Sequence, residues 1–345
     1  MRPPFHALTP IPSPPSPIRL YLAEHGVKAI YAEKGWVASV DEADAVVAAC
    51  KKNGVFLNLG TNRRYDKGFD AARELIESGD LGALKTIIVH STSSLFNGAS
   101  HSLDAVNRLN GDSPPVWVQG HLEDGDGTVT LEDGRVRPAI DGDILRSDVQ
   151  GHGMIRYENG VTAYMLNSGL GMEVEAICER GHIKSLNNGE TWTLREPRGQ
   201  VLDRLDGKSS TALANAEERN SRLAAGDRNQ TKVVQGQWDF SPDITFETKS
   251  STVVSVEDLC NSLDTGENPR GGEHGAVARG NIDLIFGFVE SHVRGGKQID
   301  LPLKNHGHYR LDRITDTAYG YGNVPKFERT QVGLTRHSPP FSAAF

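Results

Sequence analysis

Residues 27–59, VKAIYAEKGWVASVDEADAVVAACKKNGVFLNL, decide the fold. Two short apolar runs, Val27 to Ala32 and Val55 to Leu59, are rich in β-branched and aromatic residues and read as buried strands. Between them Ser39-x-x-Glu42 is a capping box, in which the serine side chain and the glutamate each satisfy a free backbone N–H. It opens a helix with Ala43, Val46, Val47 and Cys50 on one face, which Asn53-Gly54 closes. Ile18 to His25 precedes this unit with helical spacing and stops at Gly26. Phe69 to Glu77 follows it as a helix and stops at Ser78-Gly79. Helix, strand, helix, strand, helix with short connections predicts an α/β fold built on a parallel sheet.

From Leu84 the texture changes. LKTIIVHSTSS alternates and is β-branched; Trp117 to Gln119, Thr128 to Leu131, Gly153 to Tyr157, Thr162 to Asn167 and Glu173 to Cys178 follow as strands, with the turns DGDG, EDG and ENG among them. This predicts a second α/β unit, 84–345, with a large, mainly antiparallel open sheet, after a first unit at 18–83. Ser209 to Asp227 reads as a polar excursion. Val256 to Leu263 and Ala276 to Val293 read as helices, the second with Ile282, Ile285, Phe286 and Val289 as a core stripe. Gln298 to Leu303 reads as extended. The lead-in, 1–17, belongs to MRPPFHALTPIPSPPSPIRL, which holds seven of the 17 prolines, so regular structure is not expected there. Extended or disordered chain is the reading, with a transit peptide as the alternative.

The 345 residues are 37% hydrophobic and 24% charged with net charge −8, an ordinary globular composition. Dispersed basic residues in an acidic chain speak against nucleic-acid binding. No run approaches the ~20 apolar residues of a membrane span. Cys50, Cys178 and Cys260 are far apart, which disfavours a disulfide framework or zinc cluster and fits a reducing, cytoplasmic setting.

Three stretches could carry chemistry. Strands of an open parallel sheet point their carboxyl ends at a ligand crevice. Glu33 and Lys34 stand at such an end, where a lysine either donates to a ligand hydroxyl or is a solvated surface residue. Asn62-Arg63-Arg64-Tyr65 stands past the second strand, a place for binding phosphate or carboxylate or simply a basic turn. In SLFNGASHSLD, His101 and Asp104 share one side of a helix, four residues after Asn97. That makes either a carboxylate-tuned acid–base or a satisfied helix-start histidine. DGDGTVTLEDG, from Asp124, has Val129 where a calcium loop needs glycine and Arg135 where it needs an acid; it reads as a hairpin tip. The chain has no P-loop, no G-x-S-x-G and no G-x-G-x-x-G opening a helix after a strand. No metal site is legible.

Taken in order, AEKG, NRRYDKGF, ELIESGDLGALKTI, NGASHSLD, GMIRYENGVTAYMLNS, ICERGHIKSLNNGETWTL and ARGNIDLIFGFVESHVRGGKQIDLPL resemble the Gfo/Idh/MocA oxidoreductases, over roughly Thr9 to Leu303. The resemblance implies a Rossmann-type dinucleotide half followed by an open-sheet domain that makes a homo-oligomer. It implies NAD or NADP as cofactor and a sugar or polyol as substrate. Lys34 then matches the lysine of E-K-P, His101 the histidine of D-x-x-x-H-x-x-D and Asp104 its final acid, all three catalytic. Glu33, Lys34, Arg63 and Arg64 fall to the cofactor, and Asn62, Tyr65 and Asn97 to the substrate. Two positions depart. Gly35 replaces the motif's proline, which loosens a fixed turn, and Asn97 replaces its first acid. TPIPSP stands in the place of the family's T-P-x-x-x-H, so the resemblance begins partway through the dinucleotide half. That implies a truncated member with impaired cofactor binding and an exposed strand edge. The alternative is a non-catalytic pseudoenzyme or assembly subunit that uses the second sheet as an interface.

Overall fold

The structure, a computed structural model, describes residues 6–7, 17–90, 94–131, 133–168, 172–186, 189, 191–195, 232–234, 237–239, 250–303 and 309–312. The excursion expected at Ser209 to Asp227 lies outside them. Six helices fall within the described residues: α1 (Pro17–Glu24), α2 (Val40–Asn53), α3 (Lys67–Glu77), α4 (Ser100–Leu109), α5 (Ser251–Thr265) and α6 (Ala276–Val293).

The first sheet is parallel and three-stranded, in the order His6–Ala7, Ala29–Ala32, Phe56–Leu59, with Ile30 opposite Leu57. The proline-rich lead-in therefore contributes a strand, and the edge expected to be bare is paired where His6 faces Ile30. The capping box forms in a shifted version. Ser39 Oγ accepts from Glu42 N at 3.2 Å, and Glu42 Oε2 accepts from Ala38 N at 2.9 Å, one residue ahead of the cap. Each such bond stabilises the helix start by about 1 kcal/mol. Gly54 ends α2 in the left-handed region. Ile30 and Ala32 pack into the main core with α1 and α2, whereas Ala29 and Tyr31 on the opposite face meet Leu259 of α5. The first layer is thus completed by a helix from far along the chain, not by residues 18–83 alone.

The second sheet has ten strands in the order Lys232–Val234, Gln237–Asp239, Thr191–Arg195, His182–Leu186, Glu173–Cys178, Leu84–His90, Thr162–Leu166, Gly151–Tyr157, Pro115–Leu122, Ile299–Asp300. Its single parallel pair is Leu84–His90 with Thr162–Leu166; the rest are antiparallel. α6 lies across it as the core helix its stripe predicts, with Ile285, Phe286, Phe288 and Val289 buried. Phe288 beds on the facing pair Gly120 and Gly153, where a Cβ would come within 2.2 Å and 2.7 Å of its ring; no larger residue fits there. Burying one such ring contributes about 2–3 kcal/mol. Beyond Ile299–Asp300 the strand Pro115–Leu122 has a free edge, and α6 covers it. Gly120 N donates to Ser291 Oγ (2.9 Å) and Leu122 N to His292 Nδ1 (3.3 Å), which removes a pairing hazard. Among the described residues no helix is long and apolar enough to cross a membrane.

Candidate active site

Lys34 leaves the strand Ala29–Ala32 on a turn that Gly35 makes at φ +70°. Proline is locked near −65° and could not occupy this turn. The glycine is therefore not a loosened proline but a differently shaped turn, a correction to the expectation from its motif. Glu33 accepts from the Tyr31 hydroxyl at 3.0 Å and is packed against Gly60, where a Cβ would meet it at 2.9 Å. The two strand ends are thereby closed on one another.

The partner of Lys34 comes from beyond the first sheet, 63 positions along the chain. A π-helical turn, Leu95–Ala99, runs directly into α4, and Lys34 Nζ donates to Asn97 Oδ1 on it. Inserted π turns recur at functional sites because they re-aim side chains. Burial holds the Lys34 ammonium below its ordinary range, and the charges of Glu33 and Asp148 oppose that. His101, one turn on, is pushed down to about 3, first by burial and then by the cations of Lys34 and Arg63. It is a neutral imidazole at any physiological pH. Its Nδ1 is buried without a hydrogen-bond partner, and so is Asn62 Oδ1 at the end of the strand Phe56–Leu59. Unsatisfied buried polar atoms are costly, and one on a histidine that feels a lysine's charge suits a polar ligand.

Asp104 does not partner His101. It is fully buried and receives Arg64 Nε (3.0 Å), Arg64 Nη2 (2.7 Å) and Asn281 Nδ2 (3.0 Å). Arg64 also donates to Asp112 and to the carbonyl of Arg270. With all its donors committed in the core, Arg64 has none left for a cofactor. The expected cofactor contact of Arg64 and the expected acid–base pairing of Asp104 are both corrected to a structural ion pair. Tyr65 is likewise buried, with the Arg270 guanidinium 5.9 Å from its ring centre, so it stands behind the site rather than in it. Glu33, Lys34, Asn62 and Arg63 remain just past the strand ends, with Asn97 and His101 facing Lys34 from the π-helical turn and α4. Asp148 is the residue that sequence reasoning missed: it lies in a polar stretch with no periodic or motif signal. Among the described residues no cluster of three or more His, Cys, Asp or Glu could hold a metal ion.

No protein-family model matches the chain. Over 60 residues it is 38% identical to the uncharacterized oxidoreductase YrbE of Bacillus subtilis (strain 168), a match that spans 17% of this chain and 18% of that protein. Among solved structures, levoglucosan dehydrogenase in complex with NADH and L-sorbose superposes with a TM-score of 0.58 at 17% identity, over 83% of this chain and 76% of its own. The aldose-aldose oxidoreductase of Caulobacter crescentus, complexed with glycerol, gives 0.55 at 16% identity, over 83% and 76%. An inositol dehydrogenase homolog of Azotobacter vinelandii, with NADH and myo-inositol, gives 0.54 at 13% identity, over 83% and 74%. The chain has the fold of these oxidoreductases, a Rossmann-like parallel sheet joined to a large mixed sheet, and in fold and motif order it resembles the Gfo/Idh/MocA oxidoreductases.

Proposed function

We propose that the chain is an NAD(P)-dependent oxidoreductase acting on a hydroxyl of a sugar or polyol. The observation that carries this reading is the meeting of Lys34 with Asn97, by a hydrogen bond, and with His101, whose Nδ1 is buried without a partner and feels the Lys34 charge. A nicotinamide, when bound, accepts the hydride from the substrate carbon. Lys34 donates to the reacting oxygen and stabilises the negative charge that grows on it, and its depressed pKa makes it readier to exchange that proton. His101, neutral, has a lone pair free to accept the hydroxyl proton. Asn97 holds the lysine in place, and Asn62 offers an acceptor to a neighbouring hydroxyl. By the resemblance, Glu33 and Arg63 fall to the cofactor, and both sit just past the strand ends beside Lys34 and Asn62 in the sequence. No G-x-G-x-x-G opens a helix after a strand in this sequence, so whether a dinucleotide binds is tested directly by titration. Scattered cysteines support a cytoplasmic setting.

A second reading, a non-catalytic subunit, is favoured by the open face of the ten-stranded sheet. Register places Gln119, Met154, Tyr164, Ile88, Glu175 and Lys184 in one row across it, with Tyr164 39% and Leu166 41% exposed. We infer that a second copy of the chain covers this face in either case. Titration of the purified chain with NADH and NADPH, read by energy transfer from tryptophan, separates the readings. Saturation below about 1 mM together with polyol-dependent turnover supports the oxidoreductase. A folded protein that binds neither nucleotide up to about 1 mM sinks it and leaves the subunit. Sedimentation of the same sample tests the shared face: a monomer at micromolar concentration overturns it.

A further inference from the structure

The π-helical turn that aims Asn97 begins with backbone donors that the turn itself does not use. Its leading residue, Ser94, makes no side-chain bond to the turn's N–H groups. A carboxylate from another part of the chain takes that place: Asp148 Oδ1 accepts from Phe96 N at 2.8 Å and Asp148 Oδ2 from Asn97 N at 3.0 Å. An anion there is favoured twice, by the N–H groups and by the dipole of the helical end. The neighbouring residues fasten the same contact. Leu95 N donates to the carbonyl of Val149 at 3.0 Å, and Ser94 and Gln150 form an antiparallel bridge. One residue, Asn97, is thus held by its backbone to Asp148 and by its side chain to Lys34.

Lys34 and Asp148 make no direct ion pair, yet each acts on the other through space. Asp148 favours the charged lysine against the burial that disfavours it, and Lys34 favours the charged carboxylate. Burial nonetheless pushes the Asp148 carboxyl up to about 6. The other titratable groups here are Glu33, which supports the lysine's charge, and His101, held neutral by burial and by the Lys34 and Arg63 cations.

We propose that Asp148 is a positioning residue: its carboxylate clamps the π-helical turn and, through Asn97, sets both the place and the charge state of the Lys34 ammonium. The inference deepens the proposed active site and rests on Lys34 being the group that meets the reacting oxygen. Asp148 itself need touch neither substrate nor cofactor. A plain structural cap would stabilise the turn and leave the lysine's titration alone; a clamp moves it.

The experiment is competitive acylation of Lys34 across pH 6 to 11, read by peptide mass, in the full chain, in Asp148→Asn and in Asn97→Ala. It needs neither cofactor nor substrate, so it decides the clamp even if the chain proves unable to bind a dinucleotide. Asp148→Asn removes a charge at nearly constant size and keeps one acceptor oxygen. It should lower the lysine's pKa and raise its labelling at pH 8 about tenfold, the effect of about one pKa unit. Asn97→Ala leaves the charge and cuts the relay, and it should also raise labelling. Identical labelling curves in the wild type and a folded Asp148→Asn protein overturn the proposal. Should Asp148→Asn fail to fold, an unchanged curve in Asn97→Ala overturns it equally. If the enzyme reading also holds, Asp148→Asn lowers kcat while the KM for nucleotide stays put; a purely structural cap would not split them.

Discussion

Arg63 and Arg64 are neighbours on one turn, and His101 and Asp104 are one helical turn apart on α4, yet Arg64 and Asp104 share one electrostatic regime and His101, facing the Arg63 charge, lives in the opposite one. Arg64 and Asp104 are buried and saturated: every guanidinium nitrogen has an acceptor, and Asp104 takes a further bond from Asn281. Burial opposes the Arg64 charge, and the carboxylates of Asp104 and Asp112 overcome it and hold the guanidinium above its ordinary range. Three residues earlier on the same helix, His101 is denied a charge and a hydrogen-bond partner at Nδ1. The lesson is one of division. The saturated network fixes where α4 and the turn Asn62–Tyr65 sit, which lets the unsaturated one be left waiting for a ligand.

The sharpest way to break that comparison is Arg64→Ala. Removing one partner of a buried ion pair leaves the other charged and unpaired, at a cost of about 3–5 kcal/mol. The expected result in a denaturant melt is a loss of that size, with α4 losing its anchor. A loss below about 1 kcal/mol would mean that the pair is no more structural than a surface bridge, and the contrast with the Lys34 cluster would collapse.

The pH dependence of stability sharpens it next. His101 is held down to about 3 against an ordinary 6.5. The unfolded chain takes up that proton as pH drops through 6.5 and the folded chain does not. Its stabilising contribution is therefore full above 6.5 and lost as pH falls toward 3. Asp148 works the other way: its carboxyl is up at about 6 from an ordinary 3.8, so the contribution it makes at low pH is lost as pH rises from about 4 to about 6. Between pH 4 and 6 the two slopes oppose. His101→Gln deletes one of them, a change of about 2 kcal/mol between pH 7 and pH 5. The variant should become more stable on acidification across that window, where the wild type stays nearly level. Parallel curves for the two proteins would place His101 outside the buried site.

What the sequence revealed follows the same division. Local, periodic features were legible. Ser39 and Glu42 announced the start of α2, and the stripe of Ile282, Ile285, Phe286 and Val289 announced a core helix that runs Ala276–Val293 as expected. Lys34 and His101 were legible as residue types at telling places, and the chain brings them together across the two sheets. Partnerships were not legible, because spacing along a helix says which side a residue takes and not what meets it there. Asp104 shares a turn with His101, but Arg64, 40 positions away, claims it. Asp148 carries no pattern at all and reaches Asn97 from 51 positions on. The pairing of His6–Ala7 escaped because a proline-rich composition argues against strands in general, and two residues are enough for one.

The smallest effect asks most of the comparison, because it concerns backbone rather than charge. Gly35 holds φ +70°, a region that side-chain-bearing residues enter at a cost of about 1 kcal/mol or more. Gly35→Ala should therefore lower stability by about 1 kcal/mol, while Trp36, buried next in the chain, keeps the turn from relaxing far. That residual stiffness is the point. If Lys34 is aimed by its own turn, the strain will shift the ammonium and change its labelling. If it is aimed from across the cleft by Asn97, labelling will hold while the melting point drops. The second outcome is the expected one: Lys34 Nζ is tethered to Asn97, and Asp148 clamps the turn that carries Asn97 through the backbone N–H groups of Phe96 and Asn97.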